Sequence, residues 1–298
     1  MFPPLVQVPA VTAMFVAAYL SLQVLDGRPS LTLGWGSVVG AATLLGFALL
    51  MRVYDELKDV EADLRLGKAG DPRYKDRAIV TGRVQVGDLV ALRWGTTFAL
   101  IALNAGLGWP WPGAVFVGIL VLTWLSFKWF FWPAVSRNLL LAFATHNPLT
   151  LVVLSYVPAL YVRIFDHVPG AWMWVPLAGI WAPIAAWETA RKIRAPADET
   201  SYQTYSMMLG WRVAPFLPAL FVTISAAMLT AFARHVGLHV ALPVAVFAAA
   251  ALVWIGAVRF VLAPSARTAN LRPLADVYAL VSTLGLVIAC CAHTRLTF

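Results

Sequence analysis

The stretch DELKDVEAD, Asp55 to Asp63, puts five acids into nine residues just after the apolar run VVGAATLLGFALLM (38–51). Asp55, Asp59 and Asp63 stand at i, i+4 and i+8. At 3.6 residues per turn they form one carboxylate ridge along a helix. Like charges one turn apart repel, so the ridge needs a counter-charge. Arg52 is near in sequence, and Lys58 is expected to point away from the ridge. A divalent cation suits the pattern better. Mg²⁺ takes one or two carboxylates, keeps waters and completes its shell with substrate phosphates. The plain alternative is a solvated helix end whose acids are held by loop cations.

The surrounding chain sets where this ridge lies. Of 298 residues, 61% are hydrophobic and only 12% charged, about half the charge of a soluble domain. The composition is that of an all-α, polytopic membrane protein, and about 20 apolar residues are needed per crossing. Nine spans are expected, at 6–25, 34–57, 86–107, 111–131, 138–162, 171–192, 211–232, 239–262 and 273–293. The first lacks a basic leader and a small-residue cleavage site, so it reads as a helix and not a signal peptide. No soluble domain or long linker interrupts residues 1–298, which read as one transmembrane domain. Cys290 and Cys291 are adjacent, a spacing that gives neither a metal site nor a disulfide framework.

The net charge of +8 is distributed by loop. Lys58, Arg65, Lys68, Arg73, Lys75, Arg77 and Arg83 lie between spans two and three. Arg191, Lys192 and Arg194 end span six, and Arg259, Arg267 and Arg272 lie between spans eight and nine. With nine spans these loops share a face, and the opposite loops hold Arg28, Arg163 and Arg234. The positive-inside rule makes the crowded face cytoplasmic. This accounts for the basic balance without nucleic acid. Membrane lipids are the expected surroundings, and a bacterial inner membrane with the site facing the cytoplasm is the expected location.

Ten of the 14 acids fall in two segments predicted to share that face: seven between Asp55 and Asp76, then Glu188, Asp198 and Glu199. Ionisable groups at a membrane boundary are costly and usually functional. A cavity there suits a substrate with a phosphorylated head and an apolar tail. Asp55 and Asp59 lie nearest the apolar run and are expected to matter most. Asp63, a turn further out, is expected nearer water and nearer a helix break at Gly67, Gly70 and Pro72.

These features resemble the UbiA superfamily of intramembrane prenyltransferases. Its N/DxxxDxxxD motif on the second helix is matched by Asp55, Asp59 and Asp63, and its R-P-x-x-S-G-like turn by Arg77, Thr81 and Gly82 in RAIVTGRV. Lys128 in SFKWFFWP resembles a lysine near the end of the family's fourth helix. The family's second acidic motif resembles WETARKIRAPADETSYQTYS, with Glu188, Asp198, Glu199 and Ser206, although Ala195 and Pro196 stand where a later acid is expected.

The resemblance implies nine helices around a central chamber open to the cytoplasmic side, Mg²⁺ as cofactor and a prenyl diphosphate as substrate. It implies catalytic roles for Asp55, Asp59, Asp63, Glu188, Asp198 and Glu199. Asp55, Asp59, Asp63, Glu188 and Asp198 would bind metal. Arg77, Lys128, Arg191, Lys192 and Arg194 would bind diphosphate. Arg52, Asn138, His146, Asn147 and Trp187 are candidates for the wall facing an acceptor or a carbocation. The family either transfers the prenyl group to an acceptor, commonly a small aromatic, or cyclises it to a terpene. Aromatic faces stabilise cations and so suit both, and Trp124, Phe127, Trp129, Phe130, Phe131 and Trp132 cluster at span four. A non-enzymatic carrier is the third reading. Carriers place paired ionisable groups near the midplane, whereas these acids sit at one face.

Overall fold

The computed structural model describes residues 4–71, 74–106, 111–200 and 202–297. Its long helices, in chain order, are α1 (Pro4–Leu25), α2 (Trp35–Lys68), α3 (Val86–Asn104) and α4 (Trp111–Phe127). A broken stretch follows: α5 (Pro133–Arg137), α6 (Leu139–His146), α7 (Leu149–Leu154) and α8 (Tyr156–Phe165). Then come α9 (Trp174–Ala190), the short α10 (Tyr205–Leu209), α11 (Phe216–Val236), α12 (Ala241–Leu262), the one-turn α13 (Ala266–Ala269) and α14 (Arg272–His293). Pro72, Arg73 and the last residue of the expected third span, 107, lie outside the described residues.

Among the described residues, seven segments are long and apolar enough to cross a membrane. The α6–α8 stretch counts as one of them, despite its breaks. The protein is a multi-pass membrane protein. Two expected spans are shorter: α4 and α9 have 17 residues each. The break in the fifth expected span has a chemical origin. Asn147-Pro148 removes a backbone donor and clashes with the preceding turn, and Pro158 follows in α8.

The chain ends on the face where α1 ends. Two short parallel strands, β1 (Leu31–Thr32) and β2 (Leu296–Thr297), pair there. Gln23 of α1 fixes β1 by hydrogen bonds in both directions with the Thr32 backbone. Nearby, Asp26 accepts from Arg28, Tyr161 and His167. The core lies between α1, α2, α8, α9, α11, α12 and α14, with Phe15, Phe47, Tyr156, Tyr161, Phe232 and Tyr278 fully enclosed. Helices α9 and α11 run antiparallel, joined by Ser225 Oγ donating to Gly179 O at 2.6 Å. Inside the apolar region Tyr156 donates to Asn104 (2.6 Å), and Asn104 donates to Thr43 (3.0 Å) and to Leu100 O (2.9 Å). This network pins α8, α3 and α2 together and gives its own polar side chains partners inside the apolar layer.

Helix α2 positions the acidic ridge. Its 34 residues rise about 51 Å, well beyond the ~30 Å hydrocarbon core. The span and the acidic stretch are one continuous rod, and the end of the rod carries the acids past the apolar layer. The expected break at Gly67 does not occur. Gly67 lies inside α2, and the turn is made after Lys68, with Gly70 at φ +81°. Gly67 serves close approach instead: a Cβ there would stand 2.6 Å from both Val80 methyls. We expect Gly67→Ala to destabilise the protein by ~1–3 kcal/mol through overpacking, and Val80→Ala to restore most of the loss, read by thermal unfolding in detergent.

Candidate active site

The three ridge aspartates share one face of α2, since Asp59 lies in the field of both Asp55 and Asp63. Their environments differ, in an order opposite to the one expected. Asp55 is 54% exposed and Asp63 only 2%. Asp63 is buried because the loop after α2 folds back over it and brings Arg77 into an ion pair. That loop is held by Thr81 on Arg77 O and by Arg83 on Asp76 O. Burial works against the Arg77 charge, but the hydrogen bond and charge of Asp63 prevail and raise its pKa. Asp59, exposed like Asp55, forms no hydrogen bond or ion pair among the described residues.

Lys58 corrects a second expectation. Its ammonium turns back to Asp55 Oδ1 at 2.9 Å, with the side chain 7% exposed, and sits 4.7 Å from the Trp129 ring centre. The long lysine stem lies along the aromatic surface while its head reaches the carboxylate. Arg52 pairs with Glu56 one turn on.

The expected fourth span stops at Phe127, and the aromatic cluster beyond it is a turn, not helix. Trp129, Phe130 and Phe131 have φ of +52°, +54° and +53°. Left-handed backbone costs a non-glycine residue ~1–2 kcal/mol, so three in a row must be held by their surroundings. Trp129 lies over Lys58, and both Trp129 and Phe130 border His146, with ring centres at 5.1 and 5.4 Å. The His146 ring is bound at both nitrogens, to Ser126 O at 3.2 Å and to Ala142 O and Thr145 Oγ1 at 3.1 and 3.0 Å. Lys128 is exposed, its ammonium 4.7 Å from the Phe127 ring centre. Asn138 caps α6 by accepting from the backbone N–H of Leu140 and Leu141, which occupies the oxygen it would offer an acceptor. Asn147 is buried, and its side-chain oxygen has no partner among the described residues.

The second acidic segment faces the first. Arg191, at the end of α9, lies in the field of Asp55 as well as Glu188. Burial disfavours its charge, and the pairing with Glu188 overrides this and raises its pKa. The fork is bidentate, at 2.6 and 2.8 Å, and Lys192 adds a contact at 3.4 Å. The other two acids turn elsewhere. Glu199 accepts twice from Thr204. Asp198 lines a cavity of about 390 Å³ with Arg191, Arg194, Asn270 and Arg272. Ser206 accepts from the Arg194 backbone N–H at 2.9 Å, holding the loop. The structure therefore brings Glu188 to Arg191 and Lys192, and does not bring Asp198 or Glu199 to Glu188. No three metal-ligating acids, histidines or cysteines converge among the described residues.

Arg272 is the neighbour that sequence reasoning missed. Its guanidinium lies 5.2 Å from the Trp187 ring centre, which Arg191 also approaches, at 5.4 Å. In the sequence it is one more loop cation, and only the meeting of two loops reveals it.

For magnesium, the donor set fits a substrate-bridged ion and not an all-protein cage. Asp59 has no partner among the described residues, Asp55 is one turn away and exposed, and Mg²⁺ needs only one or two carboxylates when phosphates complete its shell.

No family model matches the chain, and no curated protein sequence matches it. The structural likeness is clear: the apo structure of a UbiA homologue from Aeropyrum pernix K1 superposes with a TM-score of 0.67 at 17% identity, covering 94% of this chain and 98% of that one. The fold is the UbiA fold. Within this UbiA fold the two acidic segments end α2 and α9 on the same face, with Arg191 between them.

Proposed function

We propose that the protein is a magnesium-dependent intramembrane prenyltransferase. It ionises a prenyl diphosphate and passes the prenyl group to a small aromatic acceptor. The observation that carries this reading is the pair of facing acidic segments in a UbiA fold: Asp59 on α2, unpaired among the described residues, and Arg191 held by Glu188 in the field of Asp55. In this reading α4 and α9 also cross the membrane, which makes nine spans, and the chamber opens to the cytoplasm under the positive-inside rule.

The residues divide the work. Asp55 and Asp59 hold the metal, which when bound offsets the charge that builds on the departing diphosphate. Arg191 and Lys192 face the same diphosphate oxygens, and a guanidinium fork suits phosphate. Arg77 orients Asp63 and ties the loop to α2. Lys128, exposed at the end of α4, reaches the diphosphate from the opposite wall. Trp129 and Phe130 offer ring faces to the allylic cation, and electrostatic stabilisation of the developing charge is the main catalytic effect.

The same left-handed aromatic turn favours a second reading, cyclisation of the cation on its own double bonds to a terpene. One experiment separates the two. Purified protein is incubated with geranyl, farnesyl and geranylgeranyl diphosphates and Mg²⁺, with and without a small phenol. Product only with the phenol supports transfer, and cyclic hydrocarbon or alcohol without it supports the cyclase. No release of diphosphate under any of these conditions would refute both. Chelation of Mg²⁺ is expected to abolish product in either case.

A further inference from the structure

Away from the acidic segments, α2, α3 and α4 enclose a niche of about 240 Å³ lined by Tyr54, Arg93, Trp94, Thr97, Leu120, Val121 and Trp124. Arg93 stands in the third turn of α3, inside an apolar span and not in a loop. Ionisable groups inside a span are costly and pair with something. Among the described residues Arg93 has no carboxylate partner. Its guanidinium meets only ring faces, 4.8 Å from the Trp94 centre and 5.8 Å from that of Phe127. Tyr54 stacks on the same Phe127 ring at 4.8 Å, and its hydroxyl lies in the field of Arg93. That hydroxyl also forms no hydrogen bond among the described residues. Two donors without acceptors among the described residues thus border one niche, and one of them, Arg93, is a partly buried charge that calls for an anion.

The niche opens sideways, since Trp94 is 50% and Trp124 42% exposed. Exposed tryptophans on spanning helices mark the headgroup level of a bilayer. Tyr54 immediately precedes Asp55, where the apolar run of α2 has ended, so the niche lies at that boundary on the basic face. Lys128, beside Phe127, raises the local positive potential further.

We propose that this niche binds the headgroup phosphate of an anionic phospholipid from the adjoining leaflet. Arg93 donates to the phosphate oxygens, the Tyr54 hydroxyl donates a further bond, and the first carbons of the lipid chains lie against Leu120, Val121 and Trp124. Basic pockets between transmembrane helices recognise headgroups by this combination of charge and apolar wall. Because Tyr54 and Asp55 are consecutive, an occupied niche also steadies the end of α2 that carries the ridge.

The test uses full-length protein, delipidated in neutral detergent and titrated with phosphatidylglycerol or phosphatidylcholine, with bound lipid read by native mass spectrometry. Wild type is expected to prefer phosphatidylglycerol. Arg93→Gln is expected to weaken that lipid by at least about fivefold, the worth of one cation near an anionic surface. Tyr54→Phe, a shape-conserving change that keeps the stack on Phe127, is expected to weaken it less but measurably, which keeps the test open if Arg93→Gln folds poorly. Asp59→Asn is expected to bind phosphatidylglycerol like wild type. Equal binding of the two lipids by wild type, or unchanged binding in both niche variants, overturns the proposal. So does displacement of phosphatidylglycerol by farnesyl diphosphate in Asp59→Asn, because the niche would then belong to the substrate.

Discussion

Asp59→Asn is expected to lower the rate of prenyl diphosphate ionisation at least ~100-fold, about 2.7 kcal/mol of transition-state stabilisation. Asp59 is the ridge acid without a partner among the described residues, so no protein cation competes for its charge. The substitution keeps shape and removes one charge from the proposed metal shell. The loss should appear in kcat, since the interaction strengthens as charge develops on the leaving group. Asp55→Asn is expected to lose comparably, although part of the Asp55 charge is already spent on Lys58. Glu61→Gln should be nearly silent, because Glu61 is exposed and off the ridge. The Asp59 variant should remain folded, as removing one of several like charges on a helix relieves repulsion. The measurement is diphosphate release at saturating substrate and Mg²⁺, with circular dichroism as the control. Near-normal turnover would mean the ridge is a solvated helix end.

The second large effect is on stability. Arg77→Gln leaves the carboxylate of Asp63 buried without its cation. Breaking a buried ion pair typically costs 3–5 kcal/mol. Because Arg77 is 41% exposed, water and neighbouring loop groups partly compensate, and about 3 kcal/mol is expected. The double variant Asp63→Asn, Arg77→Gln should recover much of the loss, since no buried charge is left uncompensated. Thermal unfolding of the four proteins in one detergent gives the cycle. Strict additivity of the two single changes would show that the pair contributes nothing. Asp63→Asn alone should also slow turnover more than its place at the far end of the ridge suggests, because Arg77 and the loop it anchors lose their fixed position.

The helical periodicity of Asp55, Asp59 and Asp63 and the apolar runs were legible in the sequence, because each depends on spacing or composition alone. A ridge at i, i+4 and i+8 follows from helix geometry wherever the helix sits. What spacing could not show was which ridge acid is buried. Distance along α2 from the apolar run suggested that Asp63 is wettest, but the loop carrying Arg77 returns over it, and that return is a long-range packing event set partly by the Gly67–Val80 contact. Lys58 looked off the ridge by helical angle, yet four methylenes let its ammonium swing to Asp55 once Trp129 offers a surface. The left-handed turn at Trp129 to Phe131 defied propensity, since aromatic residues there read as more helix. In the second acidic segment the sequence placed Glu188, Asp198 and Glu199 close together along the chain. Tertiary structure separated them: Arg191 and Lys192 lie one helical turn from Glu188 and claim it, Thr204 claims Glu199, and α13 and α14 bring Arg272 to the cavity beside Asp198. Sequence determined which charges must gather at one membrane face, because hydrocarbon excludes them. Only the tertiary structure decided how they pair there, because pairing is set by which loops meet.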